Sequence, residues 1–374
     1  MPQIRIGDYK TTPEDEEIVL KILRSNKLSE GKYVREFEEK WAEFCGTKYA
    51  VLTNSGTSAL LCALEVLKGY HIGNKILTSP NTFIATINAI VLAGFEPIFS
   101  DVNKETFVIE PTINDADIFL PVHLYGYPVD MDKFNYRFMI EDAAEAHGTY
   151  YRTKRVGSIG LMGCFSFYIA HNIQVGDMGA VTTNSREVYK ELKKVKAHGR
   201  MCECPVCGRL EGNCPHKDSD FDPRFTHTRI AYNFKTNELL AALGLNQLKH
   251  AEEILVKRAE NVKYLNEGLA GIEELQLPVY NPKVSYLAYP VILKEGNRNA
   301  FLNRLTKAGV ENRPFFSCVP VQQPAYKHLK DRWKEHLPNS IWLGSQGFHT
   351  GCHQYLTKQE LDTMIEGIKK CLHA

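Results

Sequence analysis

The chain has 374 residues, 44% of them hydrophobic and 24% charged, with 45 Lys and Arg against 44 Asp and Glu. A balance of +1 gives no electrostatic reason to expect nucleic acid or an anionic membrane as a partner. The opening "MPQIRIGDYKTTPEDEE" has no apolar stretch of the signal-peptide kind and no run approaches a bilayer span, so a soluble cytoplasmic protein with a large core is expected.

The first helix opens at "TTPEDEEIVLKILRSN". Thr12 can cap it, Pro13 suits its first turn, and Glu14, Asp15 and Glu16 favour its positive end. "VREFEEKWAEFCG" reads as a second, amphipathic helix ending at Gly46. Short apolar runs then alternate with helical patterns: "YAVLT", "NKILTS", "EPIFSDV", "IFLPVHL", "RFMIED" and "MGCFSFY" as strands, with "SALLCALEVLKG" and "TFIATINAIVLAG" between the first of them. That alternation predicts an α/β fold with a mainly parallel sheet covered on both faces. "NELLAALGLNQLKHAEEILVKRAENVKYLNEGL" predicts a helix pair or one long bent helix, and "VSYLAYPVIL" a strand. The expected division is a large unit over 1–248, interrupted by a Cys-rich insertion near 200–220, and a smaller α+β unit over 249–374.

Three segments carry candidate chemistry. "VLTNSGTSALLCAL" puts Asn54, Ser55, Gly56, Thr57 and Ser58 at a strand-to-helix junction, where backbone N–H groups and hydroxyls suit a phosphate; an ordinary turn and helix cap is the alternative. "RFMIEDAAEAHG" ends a buried strand in Glu141 and Asp142, placed to meet a protonated ring nitrogen, a ribose or a metal, or simply to cap a helix. "GCFSFYIAHNIQVGDMGAV" reads as strand, polar corner and strand, with Ser166 as a further hydroxyl and His171 at the corner.

Together and in this order, these segments resemble the sugar-modifying branch of the fold-type I pyridoxal phosphate (PLP) enzymes, the DegT/DnrJ/EryC1/StrS family. "SPNTFIATINAIVLAGFEPIFSDV", "IEDAAEAHG" and "IAYNFKTNELLAALGLNQL" carry the similarity across most of the chain. The resemblance implies a fold-type I transferase with a seven-stranded sheet. It implies that Gly56, Thr57 and Ser166 hold the cofactor phosphate, Phe83 stacks on the pyridine ring and Asp142 pairs with the ring nitrogen. Asn233 would reach the phosphate of a neighbouring subunit, which implies a homodimer. For Phe83, packing in the core is the rival expectation.

In the aminotransferases of this family a lysine that bonds covalently to the cofactor takes the position of His171. Here no lysine lies between Lys154 and Lys190, and an imidazole cannot form that bond. Histidine at this place resembles the nucleotide-sugar 3-dehydratases, which use pyridoxamine phosphate (PMP) and act on a nucleotide-linked 4-keto-6-deoxy sugar. His171 is then the expected catalytic base, since its ordinary pKa lies near working pH. Asn172 follows where some of these dehydratases carry a second histidine.

Of ten cysteines, Cys45, Cys62, Cys164, Cys318, Cys352 and Cys371 are scattered and read as ordinary small thiols. Cys202, Cys204, Cys207 and Cys214 fall in one stretch, "HGRMCECPVCGRLEGNCPHKD", and point to metal. "GRMCEC" resembles the CDP-6-deoxy-4-keto-glucose 3-dehydrase branch, whose members carry a [2Fe–2S] cluster fed by a ferredoxin-type reductase. The distant ligand of that branch is replaced by Ala144 and the closing spacing is altered. Iron–sulfur, structural zinc and no metal therefore stay open. Without iron, a GDP-4-keto-6-deoxymannose 3-dehydratase type with glutamate as co-substrate is the alternative. A sugar aminotransferase with a displaced lysine, or a non-catalytic PLP- or sugar-binding protein, would also fit.

Overall fold

The computed structural model describes residues 4–70, 72–113, 116–202, 204, 212–215 and 217–372. The first helix, α1 (Pro13–Ser25), begins with the expected cap. Thr12 accepts the Asp15 N–H, and Asp15 accepts the Thr12 N–H in return, which satisfies two of the open donors of a helix start. The next helix, α2 (Lys32–Cys45), ends at Gly46, whose φ of 78° is the left-handed closure that glycine allows. Gly31 has no side chain to cap it, and a distant carboxylate does so instead. Glu238 accepts the N–H groups of Gly31, Tyr33 and Val34 at 2.8–3.0 Å.

Strands β1 (Tyr49–Thr53), β2 (Lys75–Thr78), β3 (Glu96–Phe99), β4 (Ile118–Leu120) and β5 (Phe138–Asp142) follow, interleaved with α3 (Gly56–Leu67) and α4 (Ile84–Leu92). A small hairpin, β6 (Tyr150–Tyr151) and β7 (Lys154–Arg155), precedes β8 (Met162–Ser166) and β9 (Gly179–Thr183). The large sheet has seven strands in the order β1-β9-β8-β5-β4-β2-β3. β9 runs antiparallel to both its neighbours, and the other pairings are parallel. This is the fold-type I arrangement expected, mainly parallel and seven-stranded.

Alternation along the strands sends side chains to two cores, one on each face. Val51, Met162, Cys164 and Val181 join the core shared with α3 and α4. Ala50, Leu52, Phe165 and Ala180 join the other, with Phe37 and Trp41 of α2. Trp41 meets Phe165 and Phe167 edge-on at 5.1 and 4.7 Å between centroids, a favoured aromatic geometry.

After α5 (Arg186–Lys196), the long helical pattern resolves into a pair, α6 (Glu238–Lys249) and α7 (Ala251–Leu269), broken at His250. The second sheet contains β10 (Leu275–Gln276), β11 (Tyr289–Leu293), β12 (Asn312–Pro314) and β13 (Gly347–Thr350), in the order β10-β11-β13-β12 and all antiparallel. Helices α8 (Arg298–Lys307), α9 (Val319–Gln322), α10 (Lys330–Trp333), α11 (Pro338–Gln346) and α12 (Lys358–Leu372) complete the chain. The strand predicted from "VSYLAYPVIL" begins only at Tyr289. The carbonyls of residues 285–287 are instead taken by the side chains of Asn172 and Arg258.

Candidate functional site

The site is built at the carboxyl ends of β5 and β8, which lie side by side with Asp142 in register with Cys164. The two-residue period of a strand puts Asp142 on the face of Ile140, and Ser166 on the face of Met162 and Cys164. Those residues belong to the core shared with α3. Gly56, the first residue of α3, meets Ser166 there. A β-carbon on Gly56 would lie 2.6 Å from the Ser166 Cβ and 3.0 Å from its Oγ, closer than two non-bonded carbons approach. Glycine is therefore what lets the helix start sit against the β8 hydroxyl. Ser55 caps α3 by accepting the Ser58 N–H at 3.1 Å, and Gly56, Thr57 and Ser166 are half-buried. The structure thus brings all three expected phosphate residues to the junction of β8 and α3.

The two carboxylates at the end of β5 divide their work. Glu141 is fully buried and accepts the N–H groups of Gly157, Ile159 and Gly160 at 2.7–2.8 Å. His123 Nε2 lies a further 3.2 Å away, while His123 Nδ1 accepts the Val129 N–H. Glu141 is a structural anchor, not a ligand group. Asp142 accepts from Thr86 Oγ1 at 2.7 Å on one oxygen and from the Ala144 N–H at 3.2 Å on the other. Each oxygen keeps a lone pair for another donor. Burial pushes the Asp142 carboxyl above its ordinary pKa, against the Thr86 and Ala144 bonds. A cationic ring nitrogen would reverse that penalty.

Phe83 stands at the start of α4 and is 58% exposed. The core expectation for it is overturned, because its ring makes an open wall. Phe316 meets it edge-on at 6.1 Å, Tyr125 stacks on Phe316, and the Tyr125 hydroxyl bonds His349 Nδ1 at 2.9 Å. This aromatic series joins α4 to β13.

His171 is half-buried at the corner between β8 and β9. Its Nδ1 is enclosed and has no hydrogen-bond partner. His147 stacks on the ring at 6.1 Å and Tyr168 meets it edge-on at 6.1 Å. Burial pushes its pKa down to about 4; a hydrogen bond with the Tyr168 backbone opposes this and the Arg258 charge adds to it. At neutral pH the ring is uncharged, and its pKa stands below the near-working-pH value expected of it because burial disfavours the imidazolium. Asn172 turns inward, its amide donating to the Ser285 and Tyr286 carbonyls at 3.0 and 3.1 Å. It is fully buried and takes a framework place.

Sequence reasoning did not single out Glu145. It is buried, accepts the Tyr125 N–H at 2.8 Å, and burial pushes its pKa up to about 8, with the Asp142 charge adding to the effect. It stands as a neutral acid beside Asp142. Its position three residues after Asp142, on the loop leaving a buried strand, was the available signal. Asn233 adjoins Phe234, whose carbonyl accepts the Asn54 N–H at 2.8 Å. It is exposed, its backbone pairs with Ala197, and it lines a cleft of about 1280 Å³ shared with Arg200, Cys202 and Cys204. Cys214 is half-buried and Cys207 lies outside the described residues. Among the described residues, no three His, Cys, Asp or Glu side chains gather as a metal site. The six scattered cysteines are all buried.

Residues 10–369 match the model of the DegT/DnrJ/EryC1/StrS aminotransferase family. The chain belongs to this family. Its members are PLP-dependent sugar-modifying enzymes, both aminotransferases and 3-dehydratases. One relative, the dTDP-4-dehydro-2,6-dideoxy-D-glucose 3-dehydratase of Saccharopolyspora spinosa, is 30% identical over 91% of this chain and 80% of its own. Among solved structures, Helicobacter pylori PseC, an aminotransferase of pseudaminic acid biosynthesis, superposes with a TM-score of 0.87 at 25% identity, covering 99% of each chain. The E. coli GDP-4-keto-6-deoxy-D-mannose-3-dehydratase with bound hydrated PLP gives 0.87 at 23% identity, over 98% of this chain and all of that one; at that identity it speaks for the fold alone. Among the described residues no helix is long and apolar enough to cross a membrane.

Proposed function

We propose that this family member binds PMP or PLP without a covalent tether and removes the C3 hydroxyl of a nucleotide-linked 4-keto-6-deoxy sugar. The observation that carries the reading is His171. An imidazole stands at the corner beyond β8, and no lysine lies between Lys154 and Lys190. Lys196, the next buried lysine along the chain, is held by Glu30 and Glu38 at 3.0 and 3.1 Å.

The described residues fit the cofactor. The half-buried Gly56, Thr57 and Ser166 cradle suits its phosphate, Phe83 suits its ring face, and Asp142 has the lone pairs to accept its ring N–H. When bound, the cofactor supplies an amine for the sugar ketone and a ring that draws electrons from the bonds beside it. Asp142 holds the proton on the ring nitrogen. With the cofactor bound, His171 would serve as the base that takes up a proton beside the amine and delivers it to the C3 hydroxyl as that group leaves. Glu145, kept neutral by burial, is placed as a hydrogen-bond donor beside Asp142.

The S. spinosa relative, named as a sugar 3-dehydratase, supports the reaction class. We read the active form as a homodimer in which Asn233 serves the neighbouring subunit, because its side chain is exposed at the surface. The Cys-rich segment leaves two ways to complete the chemistry: a [2Fe–2S] cluster with a reductase partner, or glutamate as amine donor. Iron and sulfide analysis with a visible spectrum separates them.

The test uses protein loaded with PMP and a panel of nucleotide 4-keto-6-deoxy sugars, read by mass spectrometry for loss of one oxygen from the sugar, with one PMP converted to PLP and one ammonia released per sugar. Replacing His171 by Asn should abolish that loss while the cofactor stays bound. Retained turnover in His171→Asn would overturn the assignment. Covalent cofactor capture by borohydride would favour an aminotransferase with a displaced lysine.

A further inference from the structure

Behind the corner lies a buried cation without a carboxylate. Arg258, on α7, is 1% exposed and makes no ion pair among the described residues. A guanidinium taken out of water needs donors paired, and here backbone carbonyls take both Nη groups while Nε is enclosed without a partner. Nη1 donates to Tyr286 at 3.3 Å and Leu287 at 2.9 Å, with Cys352 Sγ at 4.0 Å, and Nη2 donates to the carbonyl of His171 at 3.4 Å. Asn172 donates to Ser285 and Tyr286. Three consecutive carbonyls before β11 are thus occupied by two side chains that also fix His171, one through its carbonyl and one through the adjoining residue.

We propose that Arg258 is a positioning residue for His171: with Asn172 it ties the β8–β9 corner to residues 285–287 and so fixes where the imidazole meets the cleft. This rests on His171 being the base. A planar fork can serve the His171, Tyr286 and Leu287 carbonyls at once, whereas an ammonium on a flexible stem cannot hold the same three directions. The arrangement also brings the Arg258 charge to bear on the base. The titratable groups facing His171 are Arg258, His147 and Tyr168, and its ring forms no ion pair with a carboxylate among the described residues. Burial lowers the His171 pKa most, and Arg258 adds to that.

Four proteins test this: wild type, Arg258→Lys, Arg258→Met and Asn172→Ala, each loaded with PMP and checked for folding and cofactor content. A misplaced base slows the chemical step more than substrate binding. We expect kcat to fall roughly 100-fold in Arg258→Met and about tenfold in Arg258→Lys and Asn172→Ala, with KM nearly unchanged. Titration of the His171 imidazole by 15N NMR, assigned with His171→Asn, supplies a readout independent of turnover. Its pKa should rise in Arg258→Met, which lacks the cation, and stay near wild type in Arg258→Lys and Asn172→Ala. Should Arg258→Met fail to fold, the other two variants decide through kcat. Unchanged kcat in Arg258→Lys and Asn172→Ala, or an unmoved His171 titration in folded Arg258→Met, overturns the proposal. Wild type that releases water from no sugar overturns the base assignment instead, and the titration still reports on Arg258.

Discussion

At Asp142 two hydrogen bonds leave lone pairs unused in a buried place, and the proposed pairing with a ring nitrogen draws on them. Asp142→Asn keeps the shape and the Thr86 contact but cannot favour a protonated ring nitrogen. Turnover should fall on the order of 100-fold or more, with melting temperature nearly unchanged; an Asn variant with wild-type kcat would remove Asp142 from the mechanism. Phe83 gives the complementary case. An exposed ring contributes little to stability, so Phe83→Ala should weaken cofactor affinity by roughly tenfold, a loss of about 1.4 kcal/mol, and leave thermal unfolding alone. Asp142, Ser166, Gly56 and His171 were legible because each sits where a strand pattern breaks into polar residues. Glu145 and Arg258 were not, because their roles depend on burial and on partners far along the chain, as with Arg258 and His171, 87 positions apart.

Among the elements, the strand and helix periods identified nearly every member of the large sheet, because parallel strands buried on both faces read as short apolar runs. The misjudged strand was "VSYLAYPVIL". Its first half is as apolar as its second, yet its carbonyls bond Asn172 and Arg258, which no local pattern encodes. The start of α2 is another long-range dependence. Glu238 accepts three N–H groups from the Gly31–Val34 turn and sits at the positive helix end. Glu238→Ala leaves those donors buried and unpaired. It should destabilise the protein by about 2–4 kcal/mol in denaturant titration; a loss below the error of that titration would mean water replaces the carboxylate.

Over the whole molecule, buried titratable groups of opposite sense should give a stability maximum. Burial lowers His171 and His353 to about 4 and His349 to about 3, and holds His147 well below its ordinary value. Between about pH 4 and 6.5 the unfolded chain binds more protons at these histidines, so their contribution falls as pH falls, by about 1.4 kcal/mol per unit and group. Glu145 acts the other way. Its pKa is pushed up to about 8, so its contribution is complete below the unfolded value near 4.5 and is lost as pH rises through 8. Four histidines outweigh the buried carboxyls on the acid side. The cofactor-free protein should therefore melt highest near pH 6 to 7, and a melting temperature that climbs steadily from pH 6 to 8.5 would contradict these charge states. The central claim is chemical and is met most directly by one mass spectrum. PMP-loaded wild type, given a nucleotide-linked 4-keto-6-deoxy sugar, should yield a nucleotide sugar lighter by one oxygen, its C3 hydroxyl replaced by hydrogen, as PMP becomes PLP and ammonia is released. A product carrying an amine in place of the ketone, with every hydroxyl retained, would contradict the account.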